Sequence, residues 1–373
     1  MAEKTPKMSQ DKKRKKIRKI LLTILFVGFS AAVIIATAVN EFSNTENAAE
    51  LATVKLNWWF LIPATLCFMV MITLEFWKYA LMILKSTKPG TFTEKEAWKV
   101  GWRTVMIGRY YDRITPAAVG GQPAQIVNLR KTGKIPTGLT TAIPIFSMMS
   151  GQFTVIVIAI PCFIAGRFMG VSPVLMTTAW IGLLFYAFWP IMVVGTAISS
   201  KFTARVINIF VKFLAAIRIV KNKESAVKKV EEEVEEYASN VKLIAKSREV
   251  MVKVMVMSFF SNVLITLVPF FVLIAFGGNI DFMECFVLSM AIQSAVYYVP
   301  TPGNSGVAEG TFYVVFSRLS TGYVFWAMLV WRLFSYYIYI IVGPIVYLIM
   351  HIEKKREASE SKKLKEGKND HQK

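Results

Sequence analysis

Six stretches of nearly uncharged apolar residues, 20–39, 57–84, 138–165, 173–198, 251–276 and 322–350, alternate with polar connections along the chain. A helix needs about 20 such residues to cross the roughly 30 Å of bilayer hydrocarbon, so the pattern predicts six transmembrane helices. The first follows KKRKKIRK; its apolar run is too long for a signal peptide and lacks a small-residue cleavage site, which makes it an uncleaved anchor. Two mixed stretches, 97–130 and 283–318, fit neither a span nor an ordinary loop.

Charge decides what those two stretches do. Lys and Arg crowd 1–19, 85–103, 130–134, 201–253 and 351–373, whereas 40–56 and 277–284 are acidic or nearly free of base. By the positive-inside rule both termini are cytoplasmic. The chain is then inside both before 97 and after 130, and outside both before 283 and after 318. Each stretch must enter and leave by one face, as a re-entrant hairpin. The expected fold is an all-α polytopic membrane protein of six transmembrane helices and two hairpins. Its halves, about 20–165 and 173–350, run in opposite directions, as an inverted-topology repeat does, and such repeats place a substrate site near the bilayer midplane.

The hairpins carry matching bends, RITPAAVGGQPAQ at 113–125 and YYVPTPGNSGVAEGTF at 297–312. In each, Thr-Pro precedes small residues and then a polar residue that opens a new helix: Thr115, Pro116, Gly121, Gln122 and Gln125 in one, Thr301, Pro302, Gly303, Asn304, Gly306 and Glu309 in the other. Proline removes a backbone donor and glycine permits left-handed dihedrals, so the chain turns at depth. Unpaired backbone in hydrocarbon costs several kcal/mol, so such bends need protein or a water-filled cavity around them. Pro123 is expected at the first helical position of one second arm, after Gln122, and Asn304 or Ser305 as the cap of the other. Two helix N-termini then converge on one region and favour an anionic group such as a phosphate.

Arg109, Asp112 and Arg113 precede the first bend, Glu309 follows the second, and Arg332 lies inside the last span. Charges at membrane depth cost about 2.5–3.5 kcal/mol on insertion scales, which makes each a candidate for substrate binding. The alternative is a structural ion pair, Asp112 or Glu309 with Arg332, holding the hairpins together. Glu75 and Lys78, one turn apart in the second span, read as an interfacial pair with Lys78 snorkelling.

Composition agrees with the pattern: 54% apolar residues is too high for an ordinary soluble domain. The net charge of +20 lies in the flanks, where anionic headgroups explain it better than nucleic acid does. Cys67, Cys162 and Cys285 sit in or beside apolar stretches with no disulfide or zinc spacing. No metal cluster, nucleophile constellation or GxxxxGK[ST] is present, so no cofactor is expected and ATP is not the direct energy source. The insert at 199–250 carries a heptad-like stripe, Val227, Val230, Val234, Tyr237, Val241 and Ile244, suited to an amphipathic helix under the membrane domain, a homodimer contact or a dock for a separate lipid synthase. The tail at 351–373 is charged and of low complexity, and is expected to be disordered.

TPAAVGGQPAQIVNLRKTG (115–133), PTPGNSGVAEGTF (300–312) and WRLFSYYIYIIVGP (331–344) together resemble the membrane domain of the lysylphosphatidylglycerol synthase/flippase family, over about 15–350. The resemblance implies a bacterial cytoplasmic membrane and translocation of phospholipids, notably aminoacylated phosphatidylglycerol, from its inner to its outer leaflet, and through surface charge a role in antibiotic resistance. Family members that aminoacylate the lipid carry a large soluble C-terminal transferase domain. Here the sequence stops shortly after the last span, so a lysyltransferase activity has no visible domain. Many relatives place Glu where Gln122 stands, which removes a negative charge from the first bend. The expected partner is therefore a membrane phospholipid, anionic or lysyl-phosphatidylglycerol-like, bound by Arg109, Arg113 or Arg332, with Glu309 reading a cationic headgroup or carrying a proton. A membrane-embedded lipid-modifying enzyme is the competing reading, with Asp112, Glu284 or Glu309 as its acid or base.

Overall fold

The computed structural model describes residues 56–198, 247–297, 299–318 and 323–370, together with Ile35 and Val39. The predicted first span lies outside the described residues apart from those two helical positions, and the stripe from Val227 to Ile244 lies wholly outside them. The described chain is helical, without a strand: α1 (Leu61–Ser86), α2 (Glu94–Ile114), α3 (Gly121–Arg130), α4 (Thr137–Phe168), α5 (Pro173–Ile198), α6 (Arg248–Ala275), α7 (Phe282–Val296), α8 (Val307–Phe316), α9 (Val324–Arg332) and α10 (Ile338–Asp370).

Four helical segments among the described residues are long and apolar enough to cross a membrane: Trp58–Ser86, Thr137–Phe168, Arg248–Ala275 and Val324–Glu353. They answer four of the predicted spans. The predicted span at 173–198 is helical throughout as α5, whose portion Pro173–Phe188 belongs with the shorter apolar helices, as does α7. Each predicted hairpin is two helices joined by a bend: α2 and α3 around a 3-10 turn at Pro116–Ala118, α7 and α8 around one at Pro302–Asn304.

Local chemistry sets the helix starts. Thr93 and Glu96 form a capping box on α2, with Glu96 Oε2 accepting the Thr93 N–H at 2.8 Å and Thr93 Oγ1 accepting the Glu96 N–H at 3.2 Å. Those bonds from Thr93, with the ion pair to Lys134, hold the Glu96 carboxyl down at about 2. Asp281 caps α7 by accepting the N–H groups of Met283 and Glu284 at 2.8 and 3.0 Å. The core is apolar, and small residues permit its closest crossings. Gly182 of α5 lies so near the Ser294 carbonyl of α7 that a Cβ there would collide with it.

Beyond the last span α10 continues as helix to Asp370, through most of the tail the sequence led us to expect as disordered. Its Lys, Glu and Ala residues are good helix formers with no proline among them. Glu353 ties this end to α2 through ion pairs with Arg103 and, at 3.0 Å, Lys99.

Candidate functional site

The two Thr-Pro bends pack against each other, and their backbones are alike. Thr115 and Thr301 are extended, with φ and ψ of −110° and 141° and of −100° and 151°. Three residues after each Thr, Ala118 and Asn304 take left-handed φ of 51° and 57°, and their N–H groups bond back to the Thr115 and Thr301 carbonyls at 3.2 and 3.1 Å. A left-handed alanine costs roughly 1–2 kcal/mol, so this reversal is imposed by its surroundings. Gly303 (φ +57°) packs on the Tyr336 ring with no room for a Cβ.

A cavity of about 760 Å³ opens beside the paired bends. Each of the four candidate spans contributes residues from its own middle: Glu75 and Lys78 from α1, Ser147 to Val155 from α4, Ser258 to Pro269 from α6, and Trp331 to Tyr339 around the end of α9. Lys78, Arg109, Arg113 and Arg332 reach its wall, against the carboxylates of Glu75 and Asp112. Among the predicted site residues, Gln122, Gln125, Gly303 and Asn304 line it too. Thr115, Pro116, Gly121, Thr301, Pro302, Gly306 and Glu309 lie in the bends or behind them and are not part of the wall.

Charge pairing separates these residues. Glu309 has 0% exposure and is held by Arg332 (4% exposed) in a two-pronged ion pair, Nε to Oε1 and Nη2 to Oε2 both at 2.8 Å. This is the structural pair offered as the alternative. Glu309 Oε2 also accepts the Gly306 N–H at 2.7 Å, which makes Gly306 (φ +85°) the cap of α8 in place of Asn304 or Ser305. At the other bend α3 begins at Gly121, two residues earlier than expected, so Pro123 is its third residue and not its first. There the Asp112 carboxylate packs against Gly121, the first residue of α3. Carboxylates of the chain itself thus stand at both second-arm N-termini, Glu309 bonded at α8 and Asp112 packed at α3.

Lys78 does not snorkel. At 2% exposure it donates to Glu75 Oε1 at 2.8 Å and to Ser258 Oγ at 3.1 Å, and Ser258 in turn meets Ser150 at 2.9 Å. Arg109 reaches the other oxygen of Glu75 at 3.4 Å. Arg113 differs from these cations, because among the described residues no carboxylate comes within ion-pairing distance of it. Its Nε donates to the Ser335 carbonyl at 3.0 Å and its guanidinium sits 5.3 Å from the Tyr339 ring centre. Ser335 belongs to a π-helical turn, Leu333–Tyr337; such turns displace carbonyls from the regular ladder and are frequent at functional sites.

Sequence reasoning missed the uncharged polar part of the wall. Gln152 of α4 donates to the Tyr297 hydroxyl at 2.8 Å, Asn262 of α6 donates to Thr154 at 2.7 Å, and Tyr186 stacks on Tyr297 with ring centres 3.7 Å apart. The signal was available as lone Gln and Asn residues inside otherwise apolar spans.

The cavity thus lies between the apolar candidate spans and the two paired bends, with arginines on its wall. The model of the family described as "Lysylphosphatidylglycerol synthase TM region" matches residues 20–343. The chain belongs to that family. It is therefore a multi-pass membrane protein, and its family ties it to phospholipid. No curated protein and no solved structure matched the chain.

Proposed function

We propose that this member of the family is a phospholipid translocase, moving anionic or aminoacylated phosphatidylglycerol-type lipids across the bacterial cytoplasmic membrane. The observation that carries the reading is Arg113, an arginine without a carboxylate partner among the described residues, on the wall of a cavity built from the middles of four candidate spans. An arginine fork suits a phosphodiester, since its planar N–H groups meet two oxygens together. Arg109, whose one carboxylate contact is long at 3.4 Å, supplies a second cation nearby. The headgroup would occupy the cavity while the acyl chains stay in the surrounding bilayer. Residues 97–130 and 283–318 act in this reading as inner and outer re-entrant hairpins of an inverted repeat, with both termini cytoplasmic.

The test is reconstitution in liposomes with leaflet-labelled phosphatidylglycerol or its lysyl form, followed by exposure to an impermeant quencher. Labelled lipid should become accessible with the protein and not in empty vesicles, and Arg113→Gln should slow this roughly tenfold or more, as expected for loss of a charge-assisted contact. The family description favours a second reading, a lipid-modifying lysyltransferase-type enzyme or a membrane partner of a separate synthase. A mass change in the lipid without crossing would establish it and remove the transport reading.

A further inference from the structure

The wall of the cavity is chemically two-sided. One side is cationic, with Arg109, Arg113 and Arg332 around the paired bends. The other, from α4, α5, α6 and α7, is uncharged and built to hydrogen-bond: Gln152, Asn262, Gln293, Tyr186 and Tyr297 all line the space. Gln152 is 5% exposed; its amide N–H₂ is used on the Tyr297 hydroxyl, but its Oε1 is buried with no partner. The Tyr297 hydroxyl accepts that bond and so keeps its own proton to donate. Asn262 spends its donors on the Gly151 carbonyl at 3.0 Å and on Thr154, leaving its carbonyl oxygen as an acceptor. Donors and acceptors held side by side suit hydroxyl groups, each of which both donates and accepts. A buried acceptor without a partner costs stability unless a ligand completes it.

Among the described residues, every carboxylate on or near the wall already faces cations of the chain, which leaves a cationic headgroup at a disadvantage. Glu309 is sealed behind the wall on Arg332, and Glu75 is shared between Lys78 and Arg109. Asp112 lines the space with its Oδ1 buried against Gly121 and without a hydrogen-bond partner, but the charges of Arg109 and Arg113 lie beside it and offset its own. We infer that the site selects an anionic phosphodiester bearing a small uncharged polyol, with the phosphate on Arg113 and the hydroxyls on Gln152, Asn262 and Tyr297, and that it discriminates against the aminoacylated, cationic form of such a lipid. The inference rests on the translocase reading and narrows its substrate.

Two readouts on the full chain separate the inference from the reading beneath it. The first is retention of phosphatidylglycerol or lysyl-phosphatidylglycerol by purified protein in detergent, by native mass spectrometry, with glycerol 3-phosphate as the arm without acyl chains. The second is crossing in liposomes, scored by periodate oxidation of the glycerol diol and by an impermeant amine reagent on the lysyl group. Phosphatidylglycerol should be retained, and crossed, at least roughly tenfold better than the lysyl lipid, with glycerol 3-phosphate not retained. Gln152→Leu should weaken retention of phosphatidylglycerol about 3- to 10-fold, as loss of one hydrogen bond to a neutral group would. Gln152→Glu should narrow or reverse the preference by supplying a carboxylate, a change that a merely structural role for Gln152 would not produce.

Equal or better handling of the lysyl lipid by the wild type overturns the inference and leaves the translocase reading standing. Selective retention without crossing keeps the inference about the headgroup and removes the translocase reading. Retention of glycerol 3-phosphate as firmly as of the lipid would move the same chemistry to a soluble ligand and overturn the assignment.

Discussion

Glu309 and Arg332 bury opposite charges in the membrane domain and answer each other on both prongs of the guanidinium. Removing one partner strands the other without water, which typically costs 3–5 kcal/mol, whereas replacing both with apolar residues is often close to neutral. Arg332→Ala should therefore lower the melting temperature in detergent steeply, and Glu309→Leu combined with Arg332→Met should recover most of the loss. An Arg332→Ala protein that melts like the wild type would mean that the pair does not hold the bends. The sequence marked both residues, because charges in apolar surroundings stand out. It could not divide structural from accessible charge, since that division depends on which side chain meets which across 23 positions. Gln152 and Asn262 also stand alone in apolar spans, but an uncharged amide stands out less than a charge does, and its role shows only once the facing helices are known.

At the scale of elements, the bends were legible from Thr-Pro and glycine alone. Proline fixes one dihedral and glycine admits the left-handed region, and these constraints act within a few residues. Their contact with each other is a tertiary fact, whereas the bond from the Gly306 N–H to Glu309 spans only three residues. Gly303 stands where both constraints meet, at φ +57° and against the Tyr336 ring. Gly303→Ala should destabilise the protein by about 1–2 kcal/mol from the left-handed backbone alone, with the ring clash adding to it. It should also slow lipid crossing more than an alanine at the exposed Gly90 does, a position with φ +83° but open space around it. Equal effects at the two glycines would show that backbone strain, rather than the packed bend, governs the result. The helical tail escaped sequence reading for another reason. Low complexity and charge describe how little a segment can bury, yet Lys, Glu and Ala also favour helix, and continuity with a long apolar span removes the cost of starting one.

At the scale of the whole molecule, the apolar pattern and the distribution of Lys and Arg together imply an arrangement in which residues 283–318 enter and leave by the outer face. Ser317 lies at the exposed end of α8. A Ser317→Cys protein in a background free of Cys67, Cys162 and Cys285 should react with an impermeant thiol reagent added outside intact cells; labelling only after permeabilisation would reverse the proposed topology. The central claim is that the cavity between the spans receives a phospholipid headgroup. The most direct measurement places a photoreactive amino acid at Ile265, an apolar position on the cavity wall, irradiates the protein in membranes and identifies the adduct by mass spectrometry. A phospholipid adduct at position 265 that is strongly reduced by Arg113→Gln is the expected result; no lipid adduct there, or one indifferent to Arg113, would contradict it.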